Sequence, residues 1–104
     1  GPDPGDFHTV REIADAAVVQ WGGRASWIDD TAEHPHEAAV LTLDPSKAQA
    51  RLGWRNRLPF PESLHWTLQW ETAVDAGTPA REATAEQIAA YLARDPDAAW
   101  QRTF

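Results

Sequence analysis

Val10, Ile13, Ala14, Ala17, Val18 and Trp21 recur at i, i+3, i+4, i+7, i+8 and i+11, one apolar stripe on a helical period. Thr9-Val10-Arg11-Glu12 has the spacing of a capping box and Gly22-Gly23 supplies a left-handed exit, so a helix is predicted between them. Residues 24–29, with Trp27 and Ile28, read as a short strand running into the acidic pair Asp29-Asp30. After a loop holding His34, Pro35 and His36, residues 38–43 form a second β-leaning run around Val40, Leu41, Thr42 and Leu43. Asp44-Pro45 then sets an N-cap and a first-turn proline for a short helix that stops at Gly53. Leu58-Pro59-Phe60-Pro61-Glu62 opens a longer one. Leu64, Thr67, Leu68 and Glu71 form one of its stripes, and Trp66, Trp70, Ala73 and Val74 a second beside it, up to Gly77. Thr84-Ala85-Glu86-Gln87 has capping-box spacing before Ile88, Tyr91 and Leu92, and Asp95-Pro96 ends that helix; the tail 97–104 adds at most a turn. The fold class expected is α+β, a small helix-dominated unit with two short strands.

With 104 residues this is one domain at most, and 42% hydrophobic residues predict a folded core. Six Trp in so short a chain suggest either a dense core or a face meant for another surface. The net charge of -7 opposes a phosphate-tracking surface, so nucleic acid is not expected as a partner, despite the Arg51, Trp54, Arg55 and Arg57 cluster. The absence of Cys removes disulfides, thiolate metal sites and cysteine nucleophiles, and fits a cytoplasmic protein. No apolar run has the length of a membrane span and no signal-peptide pattern opens the sequence, so no membrane partner is expected.

Taken in order, Gly1-Pro2, Thr9-Val10-Arg11-Glu12, Pro35-His36-Glu37-Ala38, Leu43-Asp44, Ser46-Lys47-Ala48, Leu52-Gly53-Trp54 and Glu86-Gln87-Ile88-Ala89-Ala90-Tyr91 resemble the C-terminal portion of the CDP-glucose 4,6-dehydratase family, extended short-chain dehydrogenases/reductases acting on nucleotide sugars. Lys-Ala followed by Leu-Gly-Trp is common to extended nucleotide-sugar epimerases and dehydratases; the His-Glu-Ala element and the Gln-Ile-Ala-Ala-Tyr helix point to the CDP-glucose branch. The resemblance runs from residue 1 to about 94, giving a substrate-binding-like segment over 1–94 and a C-terminal tail over 95–104. It implies a fragment or truncated relative, although Gly1-Pro2 is also what a cleaved tag leaves. Asn56 departs from the pattern where a Pro is usual, and Glu71 where an aromatic residue is usual.

For activity, the resemblance implies a glycine-rich dinucleotide turn and a Tyr-x-x-x-Lys dyad. Glycines at 1, 5, 22, 23, 53 and 77 give no such turn, and the single Tyr91 and single Lys47 cannot form the dyad, so no complete active site and no cofactor are expected in this chain. NAD or NADP is implied only for a full-length relative. The resemblance points to His36 and Glu37 as substrate-binding residues: imidazole can donate to a diphosphate and carboxylate can accept from ribose or sugar hydroxyls. The competing reading is a loop His and a solvated Glu. Asp29, Asp30, Glu33, His34, His36 and Glu37 contain donors suited to zinc or manganese, but their spacing is not diagnostic and a solvated acidic loop is preferred. Ser26, Ser46 and Ser63 lie in no nucleophile setting.

Three functions remain open: a nucleotide-sugar-binding C-terminal segment, a small module reused for binding or interaction, or a repurposed small enzyme with a pocket of His36, Glu37 and nearby Trp. Separation from a nucleotide-binding half would expose apolar surface, with Leu64, Trp66, Leu68 and Trp70 the expected patch, so a homo-oligomer or a partner protein is expected.

Overall fold

The computed structural model describes residues 5–33 and 41–95, and these form four helices: α1 (Val10–Trp21), α2 (Ser46–Leu52), α3 (Phe60–Asp75) and α4 (Ala80–Ala93). The α1 start is the capping box read in the sequence. Glu12 N–H donates to Thr9 Oγ1 at 3.2 Å, and Thr9 N–H donates to Glu12 Oε2 at 2.7 Å, satisfying two orphan donors of the first turn. These bonds to Thr9, first through its main chain, hold the Glu12 carboxyl below its usual range. Pro45 rather than Asp44 is the N-cap of α2, its carbonyl accepting Gln49 N–H at 3.0 Å, while Asp44 just before it accepts Ser46 N–H at 2.9 Å; Gly53, at φ 61°, ends the helix by turning its N–H onto Gln49 O at 3.1 Å.

The start of α3 is capped from far away in sequence. Asp6 Oδ2 accepts Phe60 N–H at 3.1 Å, filling a first-turn donor beside Pro59 and Pro61. α4 begins four residues before the expected box. Thr84 lies inside the helix, its hydroxyl donating to Ala80 O at 2.7 Å and accepting the Trp70 indole N–H at 3.0 Å. Pro79 rather than Thr84 sets the start, because a proline preceding the first turn gives up no helical bond.

Among the described residues α3 is central, with α1 and α4 packed on it and α2 against no other helix. Gln20 Nε2 ties α1 to Pro61 O at 3.3 Å, and Gln87 Nε2 ties α4 to Trp66 O at 2.7 Å.

The expected α+β class with two short strands is overturned: among the described residues the protein is all-helical, without strand or sheet. Residue 24 lies in a turn and residues 25–29 are irregular, with no ladder. Their side chains are tied to α1 instead, Trp27 Nε1 donating to Asp15 Oδ1 at 2.9 Å with the Arg11 guanidinium 4.8 Å from the indole centroid. Residues 41–43 are irregular, and 38–40 of the second expected strand lie outside the described residues. A β-leaning run becomes a strand only where another edge pairs with its N–H and C=O groups.

Burial is sparse. Among the described residues Ala83 is the sole buried apolar side chain and none is completely buried, whereas Val10, Ile28, Leu41 and Leu52 are 84%, 89%, 87% and 81% exposed. The expected exposed patch is also corrected. Leu64, Trp66, Leu68 and Trp70 are half-buried, because α1 and α4 flank α3 on both sides, and the exposed apolar groups sit mainly outside α3.

Candidate functional site

A cleft of about 490 Å³ opens in front of α3, between residues 6–8, residues 41–43 and the segment from Trp54 to Leu58. Its walls are Phe7, Ile13, Leu41, Leu43, Trp54, Leu58 and Phe60, with Asp6, His8, Thr42, Asn56 and Ser63 as polar groups. Size and composition suit a small molecule. The imidazole of His8 lies against Phe60, centroids 3.9 Å apart and planes 28° apart, and Asp6 Oδ1 is 3.4 Å from His8 Nε2. One carboxylate therefore fixes both the ring of His8 and the start of α3. Asn56 closes its own turn, donating to Leu58 O at 3.0 Å and accepting Leu58 N–H at 3.3 Å, so a side-chain turn stands at the position where the sequence pattern it resembles usually has a proline.

Behind the cleft, the segment leading into α3 is clasped to the end of α4. Arg57 Nη1 donates to Tyr91 O, Leu92 O and Arg94 O at 3.3, 3.0 and 3.1 Å, and its guanidinium lies 5.7 Å from the Tyr91 ring centroid. These carbonyls belong to the end of a helix, where cations are favoured. Arg94 Nη2 pairs with Glu62 Oε2 at 2.5 Å, and Glu62 is just 4% exposed. That pair has close charge contact without hydrogen-bond alignment, leaving Oε2 with no hydrogen-bond donor. Burial holds the Glu62 carboxyl above its usual range, with Arg94 and His65 pulling the other way. Arg57 is thus a half-buried helix cap rather than part of an outward basic patch, while Arg51 and Arg55 are exposed.

His36 and Glu37 lie outside the described residues, as does His34. Leu41, which lines the cleft, follows that stretch directly in sequence. Among the described residues, Asp29, Asp30 and Glu33 included, no three potential ligands gather where a metal could be held. Lys47 lies on α2 and Tyr91 on α4, helices that do not pack together. The sequence reading missed Asp6, His8 and Phe60 because Asp6 lies in a stretch that reads as a turn; the acceptor it provides meets its donor 54 positions away.

The 92 residues that align with a CDP-glucose 4,6-dehydratase of Salmonella typhimurium are 39% identical to it. The chain is similar to a CDP-glucose 4,6-dehydratase. The match takes in 88% of the chain and 26% of that dehydratase, so the chain spans about a quarter of the length of the curated relative it matches. A match of that extent is consistent with the C-terminal portion to which the sequence motifs pointed. No family model matches the chain. No solved structure matches it either. No helix among the described residues is long and apolar enough to cross a membrane.

Proposed function

We propose that this chain acts as the C-terminal nucleotide-sugar-binding segment of a CDP-glucose 4,6-dehydratase-like protein, together with a dinucleotide-binding, catalytic part whose motifs this sequence does not carry. The observation that supports this most is the 39% identity over 92 residues to a dehydratase of that name. In this reading His36 donates to the diphosphate and Glu37 accepts from sugar or ribose hydroxyls. NAD or NADP would be held by the other part, and the protein would work in the cytoplasm.

Calorimetric titration tests it. CDP-glucose should bind the chain and NAD should not, and His36→Ala should weaken CDP-glucose binding. Micromolar NAD binding by the chain, or CDP-glucose affinity indifferent to both His36→Ala and Glu37→Gln, would remove the reading. A second reading, an interaction module covered by a second copy or a partner protein, is favoured by the exposure of Val10, Leu41 and Leu52.

A further inference from the structure

The polar groups of the cleft in front of α3 fall into two sets. Asp6 is engaged by His8 and by Phe60 N–H, and Asn56 by the main chain of Leu58. Trp54, Thr42, Ser63 and His8 line the same cleft, and the indole N–H of Trp54, the hydroxyls of Thr42 and Ser63 and Nδ1 of His8 have no hydrogen-bond partner among the described residues. Among the described residues no Lys or Arg lines it, and Asp6 is a carboxylate, so the electrostatics of these residues oppose a phosphate there. Half-buried Trp54 and Phe60 supply flat apolar surface beside these groups.

A ligand that suits this arrangement is uncharged, has an apolar face for the rings, and carries hydroxyls that both donate and accept. Phosphate meets none of these demands, and an aliphatic side chain would leave the unengaged polar groups without partners. We propose that this cleft takes the neutral hexose ring of the sugar nucleotide, with the diphosphate lying outside it. This rests on the nucleotide-sugar reading above and adds which moiety sits where. Trp54 Nε1 donates to a sugar hydroxyl, Thr42 and Ser63 exchange hydrogen bonds with others, and His8, its ring held by Asp6 and Phe60, offers a further polar contact from Nδ1.

Nuclear magnetic resonance on the ¹⁵N-labelled chain tests this, because each indole N–H gives its own signal and Trp54→Phe identifies that of Trp54. CDP-glucose, and methyl α-D-glucopyranoside at millimolar concentration, should both move the Trp54 signal, whereas CDP alone should not. Trp54→Phe and Thr42→Val should each weaken CDP-glucose about fivefold, as expected for one lost hydrogen bond. Thr42 is exposed, so its variant should leave folding intact if Trp54→Phe does not. CDP moving the signal as far as CDP-glucose, or CDP-glucose binding with the signal unmoved, would overturn the assignment while leaving the nucleotide-sugar reading in place. A response to the glucoside without binding of CDP-glucose would support a sugar cleft and sink the nucleotide-sugar reading. Silence toward both ligands would overturn both.

Discussion

Arg57 and Arg94 each donate to the other's main-chain carbonyl: Arg57 Nη1 reaches Arg94 O at 3.1 Å, and Arg94 Nε reaches Arg57 O at 2.6 Å. Two cations meet here because neither faces the other's charge; each faces a carbonyl, and Glu62 adds a carboxylate on the Arg94 side. The segment before α3 and the end of α4 are thereby held together where the described residues form almost no apolar core. Arg57→Ala removes the donor that serves Tyr91, Leu92 and Arg94, and should cost about 2 kcal/mol. In urea unfolding the midpoint should fall with the slope unchanged. Lys at this position should recover part of the loss, because its ammonium keeps three N–H donors for the carbonyls but lacks the planar group that lies by the Tyr91 ring. A wild-type midpoint for Arg57→Ala would mean that the clasp contributes nothing.

Arg94→Ala leaves Glu62 buried without its ion partner, and at pH 7 should cost about 3 kcal/mol. The loss should shrink as pH falls, because a protonated Glu62 needs no cation. The sign for Glu62 itself follows from its raised value. The folded protein binds this proton more tightly than the unfolded chain, so its contribution is fully present below about 4.5 and is lost as pH rises through the folded value. Glu62→Gln should remove that slope and reduce the cost of Arg94→Ala in the double variant. An Arg94→Ala cost equal at pH 5 and pH 8 would contradict the pairing.

Glu12 and Asp44 carry the opposite sign. Bonds to Thr9 and to Ser46, main-chain first in each case, lower their values, so their contributions are present above the ordinary 4.5 and 3.8 and are lost as pH falls through the folded values. Stability measured by urea titration down to pH 2.5 should therefore drop more steeply in the wild type than in Glu12→Gln.

Thr9→Ala removes the N-cap of α1 and should cost about 1 kcal/mol, with Thr9→Ser close to wild type. By contrast, the pair formed by Arg11 and Asp29 is 3.3 Å apart, with side chains 64% and 71% exposed, and Asp29→Asn should change stability by less than about 0.5 kcal/mol. Thermal or urea unfolding of the two variants distinguishes cap from surface pair; a larger loss for Asp29→Asn would reverse the ranking.

Exposed Val10, Leu41 and Leu52 make self-association or a partner the expected outcome, since covering apolar surface stabilises by about 25 cal/mol per Å². Sedimentation velocity at micromolar concentration should show species larger than the monomer. A monodisperse monomer across that range would count against a covered face.

Local chemistry decided much of this molecule before any packing was considered. Thr9 with Glu12, Asp44 with Ser46, and the stop glycines 22, 53 and 77 act within a few residues of one another, so their consequences for α1, α2 and α3 were legible in sequence, as were the motifs that led to the dehydratase resemblance. Tertiary structure decided what depends on a distant partner. Whether residues 24–29 become a strand depends on another edge, and Trp27 found Asp15 on α1 instead. Thr84 has the spacing of a cap, but Pro79 and the indole of Trp70 place it inside α4. Glu62 looks like an ordinary first-turn carboxylate, and the cation that pairs with it in its buried place, Arg94, comes from 32 residues on. The cleft before α3 was hidden for the same reason: Asp6, Thr42, Trp54 and Phe60 are scattered along the chain, and no local rule of spacing links side chains that are brought together only by packing.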